Sequence, residues 1–172
     1  TESALTDLRT LARGVKAPPD LVTIGAIDDD IVRQGGTYPL PRAEIARIVD
    51  AIARLAPKVI AVDLLLVDKG PAEGDAALAK ALATHPTVLA AAAVFPETVQ
   101  PSEDRDGPLA GLPTADRFLH PLPAFAEHAE VGIVNVTTGQ TGTPLSVPML
   151  FRTRDKIELS FPLRAASVAV GQ

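Results

Sequence analysis

The chain has no cysteine and no tryptophan, and among its 172 residues it has one tyrosine, one methionine and five phenylalanines. Without thiols there can be no disulfide, thiolate zinc site or cysteine nucleophile, and the redox compartment stays open. With so few aromatics, the 47% of apolar residues are mostly alanine and aliphatic side chains. The core must then be built from aliphatic groups against small ones, with helices and strands in close approach. Long hydrophobic runs are also missing. The longest, residues 59–67 (broken by Asp63) and 88–95, fall well short of the roughly 18 residues a membrane-spanning helix needs.

Positive charge is scarce too. Sixteen basic residues against 21 acidic ones give a net charge of −5. The basic residues are scattered without aromatic neighbours, which argues against a nucleic-acid surface. Of the three histidines, His120 and His128 stand eight residues apart, a spacing that does not match a zinc-binding helix. There is no Gly-x-Ser-x-Gly elbow, and none of the five serines has a nucleophile setting. Gly70 and Gly74 precede a helix that could receive an anion, but neither a Walker lysine-serine nor a dinucleotide fingerprint accompanies them. Neither a metal nor a cofactor is indicated.

The length suits one domain, residues 1–172. The chain opens without an initiator methionine or a signal-peptide pattern, and it stops in "SVAVGQ" without a helix-ending device. It reads as a piece of a longer protein.

An alternation of strand and helix patterns runs along the sequence. "ALTDLRTLARGV" has apolar residues at helical spacing and a stop near Gly14. Leu21–Ile27 is nearly continuous in apolar residues and β-branched at four places, the pattern of a strand covered on both faces. Ile45, Ile48, Val49, Ile52 and Leu55 then predict a helix from Pro41, which suits a first helical turn. Lys58–Leu66 predicts a second buried strand, joined to the first by a right-handed parallel crossover. A helix with Asp75 as N-cap and a strand over Thr87–Phe95 follow. The proline-rich stretch from Pro96 to Pro123 carries no periodic pattern and predicts a surface excursion. A helical turn around "AFAEHAE", a strand at Val131–Val136, a hairpin of Leu145–Phe151 with Lys156–Phe161, and a closing helix at "PLRAASVAV" complete the reading. The expected fold is α/β, a mainly parallel central sheet flanked by helices, with a C-terminal hairpin and closing helix.

Asp28 and Asp63 fall near the carboxyl ends of two expected neighbouring strands, where open α/β sheets place ligands. The pair could hold a divalent cation. Equally, each could cap a helix or pair with an arginine such as Arg42, since buried carboxylates must be partnered. Asp29 and Asp30 are read as facing water. Tyr38 and Arg42 could offer a hydroxyl and a fixed charge to an anionic ligand, or lie in a rigid turn before the helix.

Three blocks, "AIDDDIVRQGGTYPLPRAEIARIVDAI", "LAPKVIAVDLLLVD" and "GDAALAKAL", together resemble the CHASE2 family. The matching pattern is an Ile-Asp-Asp strand end (Ile27, Asp28, Asp29), a Gly-x-x-Pro-x-Pro-Arg helix start (Gly36, Pro39, Pro41, Arg42) and a Lys-x-Ile-Ala-x-Asp strand (Lys58, Ile60, Ala61, Asp63). Asp75, Leu78, Ala79 and Leu82, then Gly132 and Asn135, and finally "FPLRAAS", are similar to later family blocks. The chain departs from the family where "TGQTGTPLS" replaces an Asp-x-Asp-Gly turn, and at Leu40, where an aromatic is usual.

The resemblance implies an extracytoplasmic, periplasmic or extracellular sensor domain of a bacterial membrane receptor. Flanking membrane helices would anchor the parent protein, and a cyclase, histidine kinase or similar output would lie inside the cell. The cue is an unidentified small molecule or environmental signal, and a homodimer is compatible with the reading. The candidate ligand-binding residues are Asp28, Asp29, Tyr38, Arg42, Asp63 and Asn135, and none is assigned as catalytic. Two other functions compete: a magnesium-dependent hydrolase or phosphotransfer enzyme using Asp28 and Asp63, and a ligand-free dimerisation module.

Overall fold

The computed structural model describes residues 8, 9, 11–14, 20–96, 109, 112, 114–138 and 144–172. Its elements are α1 (Asp29–Gly35), α2 (Arg42–Ala53), β1 (Ile60–Leu65), α3 (Ala72–Leu82), β2 (Thr87–Val94), β3 (Arg117–Leu119), α4 (Pro123–Ala126), β4 (Glu130–Ile133), β5 (Thr137–Thr138), β6 (Pro144–Ser146), β7 (Leu150–Arg152), β8 (Ile157–Leu159) and α5 (Phe161–Val170). The main sheet is parallel where β2 pairs with β1 and with β4, and β3 adds to the C-terminal end of β2 antiparallel. β5 pairs with β6, and β7 with β8, as separate antiparallel ribbons. This is the expected α/β architecture with its hairpin and closing helix.

β2 is the centre. Its residues Thr87–Ala91 and Ala93 are buried, as a strand covered on both faces must be. On one face, α2 and α3 pack Ile45, Ala46, Val49, Leu78, Ala81 and Leu82 with Ile60, Leu89 and the fully buried ring of Phe125. Farther along the same strand, Ala91, Ala93 and Ile133 form a second cluster with Ala115 and Phe151, while Gly132, beside Ala90, faces the closing helix α5 on the opposite side. Alanine dominates the strand, so its neighbours come close. Gly132 of β4 shows how close: a Cβ there would lie 2.5 Å from the Cα of Phe161, at the start of α5. Ser160 caps α5 through a hydrogen bond from the Leu163 amide. Arg164 of α5 donates from Nε to the Val131 carbonyl at 3.1 Å and pairs with Glu130 at 3.3 Å.

Several expectations need correction. Leu21–Ile27 forms no strand, and Leu21, Val22 and Ile24 are 86%, 78% and 87% exposed. An apolar, β-branched run reports what a strand would bury, but pairing also needs a seat on a neighbouring edge, and here that seat is not taken. β1 is correspondingly half-covered: Ala61, Asp63 and Leu65 are exposed. Asp28–Pro41 contains a short helix, α1, that the charge run concealed. Asp75 is not an N-cap, because α3 begins at Ala72 with Pro71 before it. β3 emerges inside the proline-rich stretch, most of which lies outside the described residues. The C-terminal hairpin is shorter than expected, because residues 144–146 pair with Thr137–Thr138 instead.

Gly132→Ala should therefore cost about 2 kcal/mol or more, since the methyl group meets backbone rather than a side chain that can yield. Phe125→Ala should cost roughly 3–5 kcal/mol by opening a cavity. Urea unfolding midpoints at unchanged m-value would check both.

Candidate functional site

The carboxyl end of β1 leads into a loop that meets the starts of two helices, and Arg42 stands at the junction. As the first residue of α2, it donates from a terminal guanidinium nitrogen to the carbonyl of Asp68 at 3.3 Å. Its Nε lies 3.8 Å from Asp75 Oδ1, with both side chains 18% exposed. The guanidinium carbon sits 6.0 Å from the centroid of the Phe125 ring, within reach of a cation–π attraction. Asp75 Oδ2 accepts from the Gly70 amide at 3.0 Å, and Oδ1 is buried with Arg42 as its charged neighbour. Glycines make room for this contact: a Cβ at Gly74 would come 3.2 Å from Arg42 Cβ, and one at Gly70 would come 3.0 Å from Asp75 Oδ1. The protein's own carboxylate thus occupies the Gly70–Gly74 helix start that could have received an anion.

The other candidate residues lie apart from this hub. Asp28 is the N-cap of α1, its Oδ1 accepting from the amides of Asp30 and Ile31 at 3.1 and 3.0 Å. This is the capping role weighed for it above. Asp29 lies exposed in the first turn of α1, where a negative charge suits the helix dipole. Asp30, expected to face water, is exposed and pairs with Arg33 one turn on. Tyr38 is 82% exposed, in the turn before α2. Asp63 is exposed on β1. Asn135 bridges backbone: its Oδ1 accepts from the Ala93 amide at 2.7 Å and its Nδ2 donates to the Ala93 carbonyl at 2.9 Å. The main-chain ladder between β2 and β4 ends at Val134, whose amide donates to Ala91, and Asn135 extends it by imitating one more peptide unit.

No hydrogen bond or ion pair joins any two of the six candidates. Arg42, weighed as an arginine partner for Asp28 and Asp63, instead joins Asp75 and the loop 68–70. Asp75 matches a family block in the sequence, but its pairing with Arg42 leaves no mark there, because 33 positions and a strand separate them. Three or more acidic, histidine or cysteine side chains placed to share a metal ion do not occur among the described residues. Nor, among these residues, is any helix long and apolar enough to cross a membrane.

What the fold and these contacts define is an α/β module whose central polar group ties helix starts to a strand end. The chain matches the CHASE2 domain over residues 1–172 and belongs to that family. CHASE2 domains are extracellular sensor domains rather than catalytic ones. No curated protein and no solved structure matches the chain.

Asn135→Asp should destabilise by about 1–3 kcal/mol at neutral pH, because a carboxylate cannot donate to the Ala93 carbonyl. A protonated carboxyl can donate, so folding raises the introduced group's pKa. The lost stability should return as the pH falls through that raised value. Denaturation at pH 4 and pH 7 would check the sign. Arg42→Ala should also destabilise, by roughly 2–4 kcal/mol, since it strands the buried Asp75 oxygen. The double variant Arg42→Ala/Asp75→Ala should recover part of that loss.

Proposed function

We propose that the domain is the extracytoplasmic sensor of a bacterial transmembrane signalling receptor, with a cyclase, histidine kinase or similar output on the cytoplasmic side. The family match across the whole chain carries this reading. The polar residues of the fold support it: Arg42, Asp75 and Asn135 are committed to holding backbone and helix ends together, whereas Tyr38, Asp29 and Asp63 stay exposed and available to an incoming ligand. The domain binds an environmental cue, and the chemistry such a surface suits is a small polar molecule that accepts from the tyrosine hydroxyl or carries cationic groups to the carboxylates.

Signalling of this kind requires only that the cue bind one of two arrangements more tightly, and a few kcal/mol of difference shifts the balance decisively. The hydrolase alternative gains nothing from the structure, because Asp28 is used as a helix cap and the described residues hold no group of three acidic, histidine or cysteine side chains placed to share a metal.

Topology is the direct test. In the reading frame that encodes the chain, alkaline phosphatase joined after Gln172 should be active, and a fluorescent protein that folds only in the cytoplasm should stay dark at the same junction. The reverse pattern would sink the localisation. Deleting residues 20–172 from the full receptor should then uncouple its output activity from the growth medium.

A further inference from the structure

Two halves of an unmade β-ladder lie exposed in the same chain. β1 bonds only to β2 among the described residues, so its other edge presents unpaired backbone groups. Leu65, on its uncovered face, is 47% exposed. Twenty-odd Å of uncommitted apolar chain sits upstream: the seven residues Leu21–Ile27, at roughly 3.3 Å per residue if extended, against the six of β1. Exposed edges and exposed β-branched runs are what stable folds cover.

Connectivity says where the run belongs. α2 and α3 pack side by side on one face of the sheet, and α3 is the crossover from β1 to its parallel neighbour β2. Parallel crossovers share one hand. A strand that precedes α2, crosses over by it and runs parallel to β1 therefore belongs on the free edge of β1, opposite β2. The downstream end is already anchored: Ile31 packs against the first core, Asp28 fixes the start of α1, and Ile27, at 38%, is less exposed than Leu21, Val22 or Ile24.

We propose that Leu21–Ile27 is a strap that closes onto the free edge of β1 of its own chain as an added parallel strand, and that the structure shows its released arrangement. Closure pairs the open edge and brings Asp28 to the carboxyl end of the sheet, on the side of the Arg42 loop. It also draws in the helical residues 11–13, whose Leu11 is 78% exposed and which can then cover the bare face at Ala61 and Leu65. Seating and releasing the strap moves that N-terminal segment relative to a sheet that does not change.

Hydrogen exchange of the intact chain reads the closed state directly. The amides of Val22–Ile27 should exchange at least about tenfold more slowly than an unstructured peptide, the mark of a locally closed ladder. Ile24→Pro should abolish that protection and expose the β1 edge while β2 and α5 stay protected. As a second measurement, Ile24→Cys combined in turn with Val62→Cys, Asp63→Cys or Leu64→Cys, in a chain that has no cysteine of its own, should give an oxidised monomer in at least one pairing. Random-coil exchange across Val22–Ile27 in the wild-type chain would overturn the proposal. So would disulfides that form only between chains, or protection that appears only with a dimeric mass, since these would place the strap on a second copy.

Discussion

Everything in this fold answers to the need to bury an alanine strand on two sides at once. β2 carries four consecutive alanines, Ala90–Ala93, and small side chains yield little transfer free energy individually, about 25 cal/mol for each Å² removed from water. They contribute by letting larger partners come near, so that dispersion contacts accumulate at native packing density. On the first face those partners are leucine and isoleucine from α2 and α3, with Phe125 filling the remaining space. On the second, Gly132 gives up its side chain so that the backbone at Phe161 can approach. The same constraint explains the scarcity of aromatics, for which such a thin interlayer has little room.

Close packing at the centre leaves the helix starts to be joined by polar means. Arg42 does so because one guanidinium can satisfy a carbonyl, face a carboxylate and lie over a ring at the same time. A lysine would present a single point charge there. The glycines at positions 70 and 74 are the steric counterpart of that contact, and Asp75 closes the arrangement by accepting from the Gly70 amide. The loop after β1, the start of α2, the first turn of α3 and α4 are thereby held as one corner of the molecule.

Most of the fold was legible in the sequence, for a definite physical reason. α2, β1, α3, β2, β4 and α5 each show in their apolar spacing the face that they bury, and α5 adds a serine cap and a proline in its first turn. α1 was hidden because its capping signal, Asp28, sits inside a run of three aspartates, where a cap and a solvated charge look alike. The ion pair of Arg42 was hidden because its partner lies beyond a whole strand, and spacing along the chain says nothing about which carboxylate a crossover will deliver. Asn135 was visible as a family residue but not as a surrogate peptide group, since that role exists only once β4 has ended at Ile133 while β2 runs on to Val94.

The run Leu21–Ile27 is where pattern and structure part most sharply, and the disagreement has physical content. Its composition is that of a strand covered on both faces, and an isolated residue pattern of that kind reflects the environment in which the segment is stable. A structure in which the same residues face water, beside a sheet with one free edge and one bare face, contains both the demand for burial and the surface that would satisfy it. The core of the sheet does not depend on them: β2 keeps its neighbours on either side, and Arg42 stays with Asp75 and the Asp68 carbonyl. Seating that segment would therefore add to the fold without rearranging its core. An element that can be joined or released at the margin of an unchanged core can take up either position for a small difference in free energy, the property by which a ligand of modest affinity can control it.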